Sequence, residues 1–466
     1  MRQTARTFLL IAFTVLILLL MHFLPQLYFG DIKLRNVSIL SELSESPRDA
    51  EVTDVIPKPE PPKQMKAKNN NGLLVDFKEE WPEGVQPVED YSEGAPGGME
   101  HFFTLLSQLA DTTYTLDRPV RIAYFGDSFI EGDILTSDLR EALQQRYGGC
   151  GVGWVDAGNV ICTMKRTVGV KFSGTEEHTV MKKSNGYDVE KAGIAERYYI
   201  ASPGARISFT GKSDHYKHCG SWDISRLYLR APGGGKVSVD TDGGVSDLTL
   251  NASGDVQMVE KRGKTSSVSF TMSNSSTLFG VGLESDRGVI IDNFSMRGSS
   301  GMTLANLPES TLKQFAKIRQ YDLIVFQFGQ NAVSAKGSNA HYKAYLDNME
   351  KAMNKFKTCF PEASILFVSC GDRGQRTAAG ITTINTLENM VALQQQAAAN
   401  AKVGFYNLFL AMGGKNSMAK LVEQKMANKD YIHINFDGGA HVAQFIYKSF
   451  VAGEKNYTRK RKLEEE

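Results

Sequence analysis

Val120-Arg121-Ile122-Ala123-Tyr124-Phe125-Gly126-Asp127-Ser128 is a short apolar run that stops at a glycine and passes to an aspartate and a serine. A run of this length bounded by turn residues has the pattern of a buried strand. Upstream, Phe102, Leu105, Leu106 and Leu109 fall at helical spacing, and downstream Leu139, Ala142 and Leu143 restore that period over residues 135–147. Helix, buried strand, sharp loop and helix open an α/β sheet. A serine at the C-terminal end of such a strand stands where open α/β sheets bind ligands and where backbone N–H groups face an anion. Ser128 is therefore the candidate nucleophile.

The α/β pattern breaks off and later resumes. Residues 166–288 carry short β-type runs between glycine-rich turns with no sustained helical period, which predicts an inserted β-sandwich. Beyond it the spacing predicts strands at 322–328, 364–370 and 403–408, helices at 342–356 and 386–399, and a last helix from near Gly438. The expected domains are a first α/β part over 98–165, the insert over 166–288 and a second α/β part over 289–455. A charged tail over 456–466 follows, expected to be solvated because its basic run is cancelled at once by glutamates.

The N-terminal segment departs from this globular character. Residues 8–24 are apolar except for Thr14 and His22, and with the continuation to Phe29 the run is long enough to span a bilayer. Arg2 and Arg6 precede it as in an export signal, and no small-residue cleavage site or early cysteine follows. Residues 1–30 are thus read as an uncleaved signal anchor, with cleavage as the alternative, and 31–97 as a flexible tether rich in proline and charge. With 53 basic and 52 acidic residues the net charge is +1, so no global field gathers nucleic acid. The five cysteines lack metal-ligand spacing, which argues against a zinc site, and no cofactor is expected.

A serine nucleophile needs a base, and the base needs an orienting acceptor. Of the eight histidines, His341, His433 and His441 belong to the second α/β part. In Asp430-Tyr431-Ile432-His433 the carboxylate precedes the imidazole by three residues, close enough to fix its tautomer. Asp437 and His441 form an alternative pair, less favoured because His441 should lie within the last helix. Asp127, adjacent to Ser128 on a strand end, points away from it and is given a loop-bracing role. Oxyanion donors are offered by Gly298 in 293–299 and by Asn331 in Phe328-Gly329-Gln330-Asn331.

Gly126-Asp127-Ser128, Gly298, Gly329-Gln330-Asn331 and Asp430-Tyr431-Ile432-His433 occur in the order of the motifs of the SGNH (GDSL-type) hydrolases, which the two α/β segments resemble. The resemblance implies a three-layer α/β/α parallel sheet, Ser128 as nucleophile, His433 as base and Asp430 as its orienter. It also implies an oxyanion hole from the Ser128 N–H, the Gly298 N–H and the Asn331 side chain. Phe129, Ala332 and Ile434 depart from the common motifs without removing a catalytic group, and they weaken any transfer of substrate preference. The insert and anchor are similar in arrangement to peptidoglycan O-acetylesterases and related O-acetyltransferases of bacterial envelopes. That similarity implies a periplasmic enzyme, held at the inner membrane, acting on O-acetyl groups of a polysaccharide. The alternatives are an O-acetyltransferase that uses the same triad with a membrane acyl donor, and a non-catalytic glycan-binding envelope protein. Tyr198, Tyr199, Trp222 and Tyr228 in the insert are read as core before they are read as sugar contacts.

Overall fold

In the computed structural model, which describes residues 7, 8, 12–14, 28, 29, 32, 33, 56–69, 71–182, 186–378 and 380–465, residues Val120–Gly126 form a strand buried along its whole length. It is the second of six strands in one sheet: β1 (Val88–Asp90), β2 (Val120–Gly126), β3 (Val289–Ser295), β4 (Leu323–Gln327), β5 (Ser364–Val368) and β6 (Gly404–Tyr406). Their spatial order is β3-β2-β4-β5-β6-β1, parallel throughout except for β1, which runs antiparallel to β6. A strand covered on both faces reads as a continuous apolar run because neither face meets water. Ile122 and Tyr124 join the core layer of helices α1 (Glu100–Leu109), α2 (Thr136–Tyr147) and α6 (Phe436–Glu465). Ala123 and Phe125 join the opposite layer, under α3 (Glu309–Ile318), α4 (Asn339–Cys359) and α5 (Leu387–Ala401).

The register sets the position of everything that follows the strands. Ser295 of β3 lies opposite Gly126 of β2, and Gln327 of β4 lies opposite Gly126 on the other side. The loops carrying Gly298, Ser128 and Asn331 therefore leave the sheet side by side at its C-terminal edge. A fourth loop reaches the same edge through α6. A side chain on Gly439, in the first turn of α6, would collide with the carbonyl oxygen of Ile134, six residues beyond Ser128, and one on Gly438 would collide with that of Met426. Only glycine lets the helix that follows His433 approach the loop after Ser128 this closely.

The β-rich region forms one continuous antiparallel sheet of nine strands around its own core, rather than two separate sheets. Continuity comes from strand Arg197–Gly211, which pairs with Ser276–Glu284 near Tyr199 and with Ser267–Met272 near Ile207. The region also begins earlier than residue 166. Gly153–Asp156, which the sequence reading left in the first α/β part, pairs with Ser276–Glu284. Tyr198, Tyr199, Trp222 and Tyr228 are all buried, so none is a surface sugar contact. A buried ionic cluster fixes the region to the parallel sheet: Arg319 contacts Asp292 of β3 at 2.6 Å and Glu284 at 3.0 Å, and Arg121 of β2 contacts Glu284 at 3.0 Å.

Two expectations about the ends need correction. From residue 56 the expected tether packs on the α/β part: β1 completes the sheet, and the Glu80 N–H donates to Asn456 Oδ1 at 2.8 Å. Edge pairing of this kind is made by backbone groups, which a polar, proline-rich composition does not hide. Of the tail expected to be solvated over 456–466, residues 456–465 are instead the last turns of α6, where Lys460 pairs with Glu100 at 2.8 Å and Glu464 at 3.1 Å. Most of residues 8–29 lie outside the described residues, which include a Tyr28–Phe29 to Ile32–Lys33 pairing. No helix among the described residues is long and apolar enough to cross a membrane.

Candidate active site

Ser128 occupies the turn directly after β2 and is largely buried. The Asp127 carboxylate holds that turn in shape: one oxygen accepts from the Phe129 N–H at 2.9 Å, the other from Asn331 Nδ2 at 3.1 Å. Asn331 also donates to the Ser299 carbonyl at 2.9 Å, so its amide bridges the loops after β2, β3 and β4. The N–H of Met296 donates to the Gly126 carbonyl at 2.8 Å, which extends β3 and aims the Gly298 turn at the Ser128 turn. Among the described residues, the N–H groups of Ser128 and Gly298 make no hydrogen bond. The Ser128 and Gly298 N–H groups and the Asn331 amide thus stand on three loops that leave the same edge of the sheet.

The fourth loop carries the candidate base, His433. Asp430 accepts the N–H groups of Ile432 at 2.9 Å and His433 at 3.1 Å, and its second oxygen meets His433 Nδ1 at 2.8 Å. An ionised carboxylate only accepts, so Nδ1 carries the proton and Nε2 is left as an acceptor. Tyr431 between them is left-handed, with φ of 59°, and its carbonyl accepts from the Gly374 N–H at 2.9 Å. Burial raises Asp430, but the hydrogen bonds from the His433 ring and the two N–H groups outweigh it and hold the carboxyl below its ordinary range. Among the described residues neither Ser128 Oγ nor His433 Nε2 is hydrogen-bonded.

His433 stands just before α6, whose first turn packs at Gly439 against Ile134 of the loop that follows Ser128. Burial pushes Asp127 up to about 6, against the opposing pull of the Phe129 N–H, of His433 and of Asn331. Its neutral form is favoured by folding, so the stability it contributes is present below 3.8 and is lost as pH rises through about 6. Comparing wild type with Asp127→Asn by urea unfolding, the wild type should lose about 3 kcal/mol relative to the variant between about pH 3.5 and about pH 7. A difference that does not change with pH would contradict the assigned burial.

Sequence reasoning missed the supports of these residues. Arg373, in the loop after β5, donates to the carbonyls of Gln330 and Val333 and so clamps the Asn331 turn. Glu131 pairs with Arg297 at 2.8 Å, bracing the residue before Gly298. A lone arginine in a loop carries no local signal for such a role. His441 lies in α6 against Phe445, outside the Asp430 pairing. Among the described residues no cluster of three or more potential metal ligands is present, and the five cysteines are free thiols.

Gly298 has φ of 77°, and a methyl group there would lie 3.3 Å from Met181 Cε. A left-handed non-glycine residue costs about 1–2 kcal/mol. At this exposed turn the cost should appear as a tilt of the N–H, so Gly298→Ala is expected to lower kcat toward an acetyl ester by about 10- to 100-fold, on the scale of a lost oxyanion donor. Unchanged kcat would remove Gly298 from the site.

A parallel α/β sheet whose C-terminal loops gather a serine, an aspartate–histidine pair and unengaged N–H groups is the class of site that the chain presents. No protein-family model matches the sequence, and no curated protein matches it. Among solved structures, a peptidoglycan O-acetylesterase superimposes with a TM-score of 0.65 at 18% identity, over 79% of this chain and 99% of its own. A family two carbohydrate esterase from Cellvibrio japonicus gives a TM-score of 0.26 at 10% identity, over 62% of this chain and 99% of its own. The first of these likenesses is one of fold.

Proposed function

We propose that the chain is a serine esterase of the SGNH type that hydrolyses O-acetyl esters on an envelope or extracellular polysaccharide. What supports this reading is four loops reaching one edge of the sheet: Asn331 is bonded to Asp127 at 3.1 Å beside Ser128, and His433, oriented by Asp430 at 2.8 Å, precedes the helix whose Gly439 packs on Ile134 of the Ser128 loop. A scaffold that only bound glycan would need none of these groups.

In the proposed reaction His433 Nε2 takes the Ser128 proton as Oγ bonds to the acetyl carbon. The developing oxyanion is met by the Ser128 and Gly298 N–H groups and by Asn331, which turns one N–H from Asp127 toward it. Collapse breaks the ester bond, and the sugar oxygen leaves with the proton held by His433. Water, deprotonated by His433, then cleaves the acetyl-serine to acetate and restores Ser128. Hydrogen bonds of a free catalytic site are often long and tighten only with substrate present, which accommodates the unbonded Ser128 Oγ. The fold shared with a peptidoglycan O-acetylesterase supports the polysaccharide substrate. The apolar run over residues 8–29 supports a catalytic region held outside the cytoplasm, on the periplasmic side of the inner membrane.

The purified protein should release acetate from both para-nitrophenyl acetate and O-acetylated peptidoglycan, with water outcompeting added sugar acceptors. Acetyl appearing chiefly on the acceptor would make the protein an O-acetyltransferase, and no acetate from either substrate would overturn the reading.

A further inference from the structure

The loops after β4 and β5 are tied together where they leave the sheet. Gln394 of α5 donates its amide to the Phe328 carbonyl at 2.8 Å and accepts from the Cys370 N–H at 3.0 Å. A methyl group on Gly329 would lie 2.9 Å from Cys370 Cβ, so the two chains run in contact. Two side chains then close a reciprocal clasp. Gln330 donates through Nε2 to the carbonyls of Gly371 at 3.1 Å and Asp372 at 3.4 Å. Arg373 donates through Nη1 to the carbonyls of Gln330 and Val333, the latter at 3.0 Å. Each loop thus gives a side chain to the backbone of the other, and Asn331 lies within the span that is held.

The strap on the β5 side, residues 371–374, is itself fixed. Asp372 is fully buried and accepts from Thr383 Oγ1 at 2.7 Å, from the Met418 N–H at 2.8 Å and from the Arg373 N–H at 2.9 Å. Gly374 donates its N–H to the carbonyl of Tyr431 at 2.9 Å, and a methyl group on Gly374 would lie 2.8 Å from Tyr431 Cβ. Tyr431 stands in the turn that pairs Asp430 with His433. The strap therefore meets the Asn331 turn on one side and the Asp430–His433 turn on the other. A donor and a base that serve one reaction need a common support, because a misplacement of about 1 Å can cost about 100-fold in rate.

We propose that Gln330 and Arg373 are positioning residues, which set the Asn331 turn against the strap that also holds the Asp430–His433 turn. The inference rests on the esterase reading above and adds to it how the oxyanion donor is kept in register with the base. It also gives Gln330, the middle residue of Gly329-Gln330-Asn331, a task of its own. Loss of the clasp frees the Asn331 turn, while the bonds of Asp372 and Gly374 continue to hold the strap and the base.

The test measures kcat and KM on para-nitrophenyl acetate for Arg373→Met in two backgrounds, the wild-type chain and Asn331→Ala. In the wild-type background kcat should fall by about tenfold or more with KM within about threefold. The acid limb of the kcat/KM pH profile, which reports the free base, should keep its midpoint. In the Asn331→Ala background the same substitution should cost less than about threefold, because residues that act as a unit are not additive. Arg373→Lys should recover most of the loss, since a single nitrogen meets both carbonyls and an ammonium group has donors for two. Should Arg373→Met fail to fold, Gln330→Met removes the other half of the clasp and is carried through the same two backgrounds. A kcat within about twofold of wild type, or an equal loss with and without the Asn331 amide, would overturn the positioning role and leave the esterase reading standing. Absence of Ser128-dependent hydrolysis in the wild type itself would overturn the esterase reading, and the positioning role with it.

Discussion

Replacing Ser128 by alanine is expected to lower kcat/KM toward acetyl esters by about 10⁴-fold or more, with KM changed far less. In the proposed mechanism every other group at the C-terminal edge of the sheet acts on the bond that Ser128 makes, so no neighbour takes over the step. The remaining rate over water should be that of the N–H groups and Asn331 holding an ester carbonyl. Folding should be unaffected, because the Ser128 side chain makes no hydrogen bond among the described residues and the turn is held by Asp127. Steady-state kinetics with para-nitrophenyl acetate measure this directly, and an equally active variant would exclude Ser128 as the nucleophile.

The second large effect falls on the base and its orienter. His433→Ala should cost about as much as loss of the serine, and combining it with Ser128→Ala should cost little further, because the two act as one unit. Asp430→Asn should cost about 10²- to 10⁴-fold. An amide at that position can donate to Nδ1, which would leave the proton on Nε2, the wrong tautomer for a base. Asp430 also accepts the N–H groups of Ile432 and His433, so Asp430→Ala should in addition loosen the turn that presents the ring. His441→Ala should leave kcat/KM within about twofold, since His441 is exposed, packs on Phe445 and lies outside the Asp430 pairing. Equal losses from His433→Ala and His441→Ala would contradict the assignment of the base.

Much of this was legible in the sequence for a physical reason. A strand buried on both faces reads as a mostly apolar run, and β2, β4 and β5 do so, broken by Arg121, Gln327 and Ser364, whose side chains are hydrogen-bonded. Catalytic groups of open α/β sheets gather where strands end, so Ser128, Gly298 and Asn331 could be found as polar or glycine residues just after apolar runs. Asp430 and His433 are three residues apart and meet within one turn, a purely local relation.

What escaped depends on long-range contact. The Asp127 to Asn331 bond joins residues 204 positions apart, and nothing at either end announces the other. Arg373 gains its role only when β4 and β5 lie side by side. Residues 56–97 were read as a tether because they are poor in apolar side chains, yet β1 is held by backbone bonds to β6. The charged C-terminal run was read as solvated because its charges cancel, and the same cancellation through Lys460–Glu464 and Arg461–Glu465 supports a helix. Gly153–Asp156 is only four residues long, and its place in the β-rich region is set by a partner more than a hundred residues away.

The covalent intermediate is the most direct point of attack on the central claim. Wild-type protein mixed with para-nitrophenyl acetate, quenched in acid within the first turnovers and digested, should yield a single acetylated peptide, the one carrying Ser128. The same peptide from Ser128→Ala should be unmodified. Acetyl on a different residue, or rapid turnover with no acetyl on the Ser128 peptide at any quench time, would contradict the account.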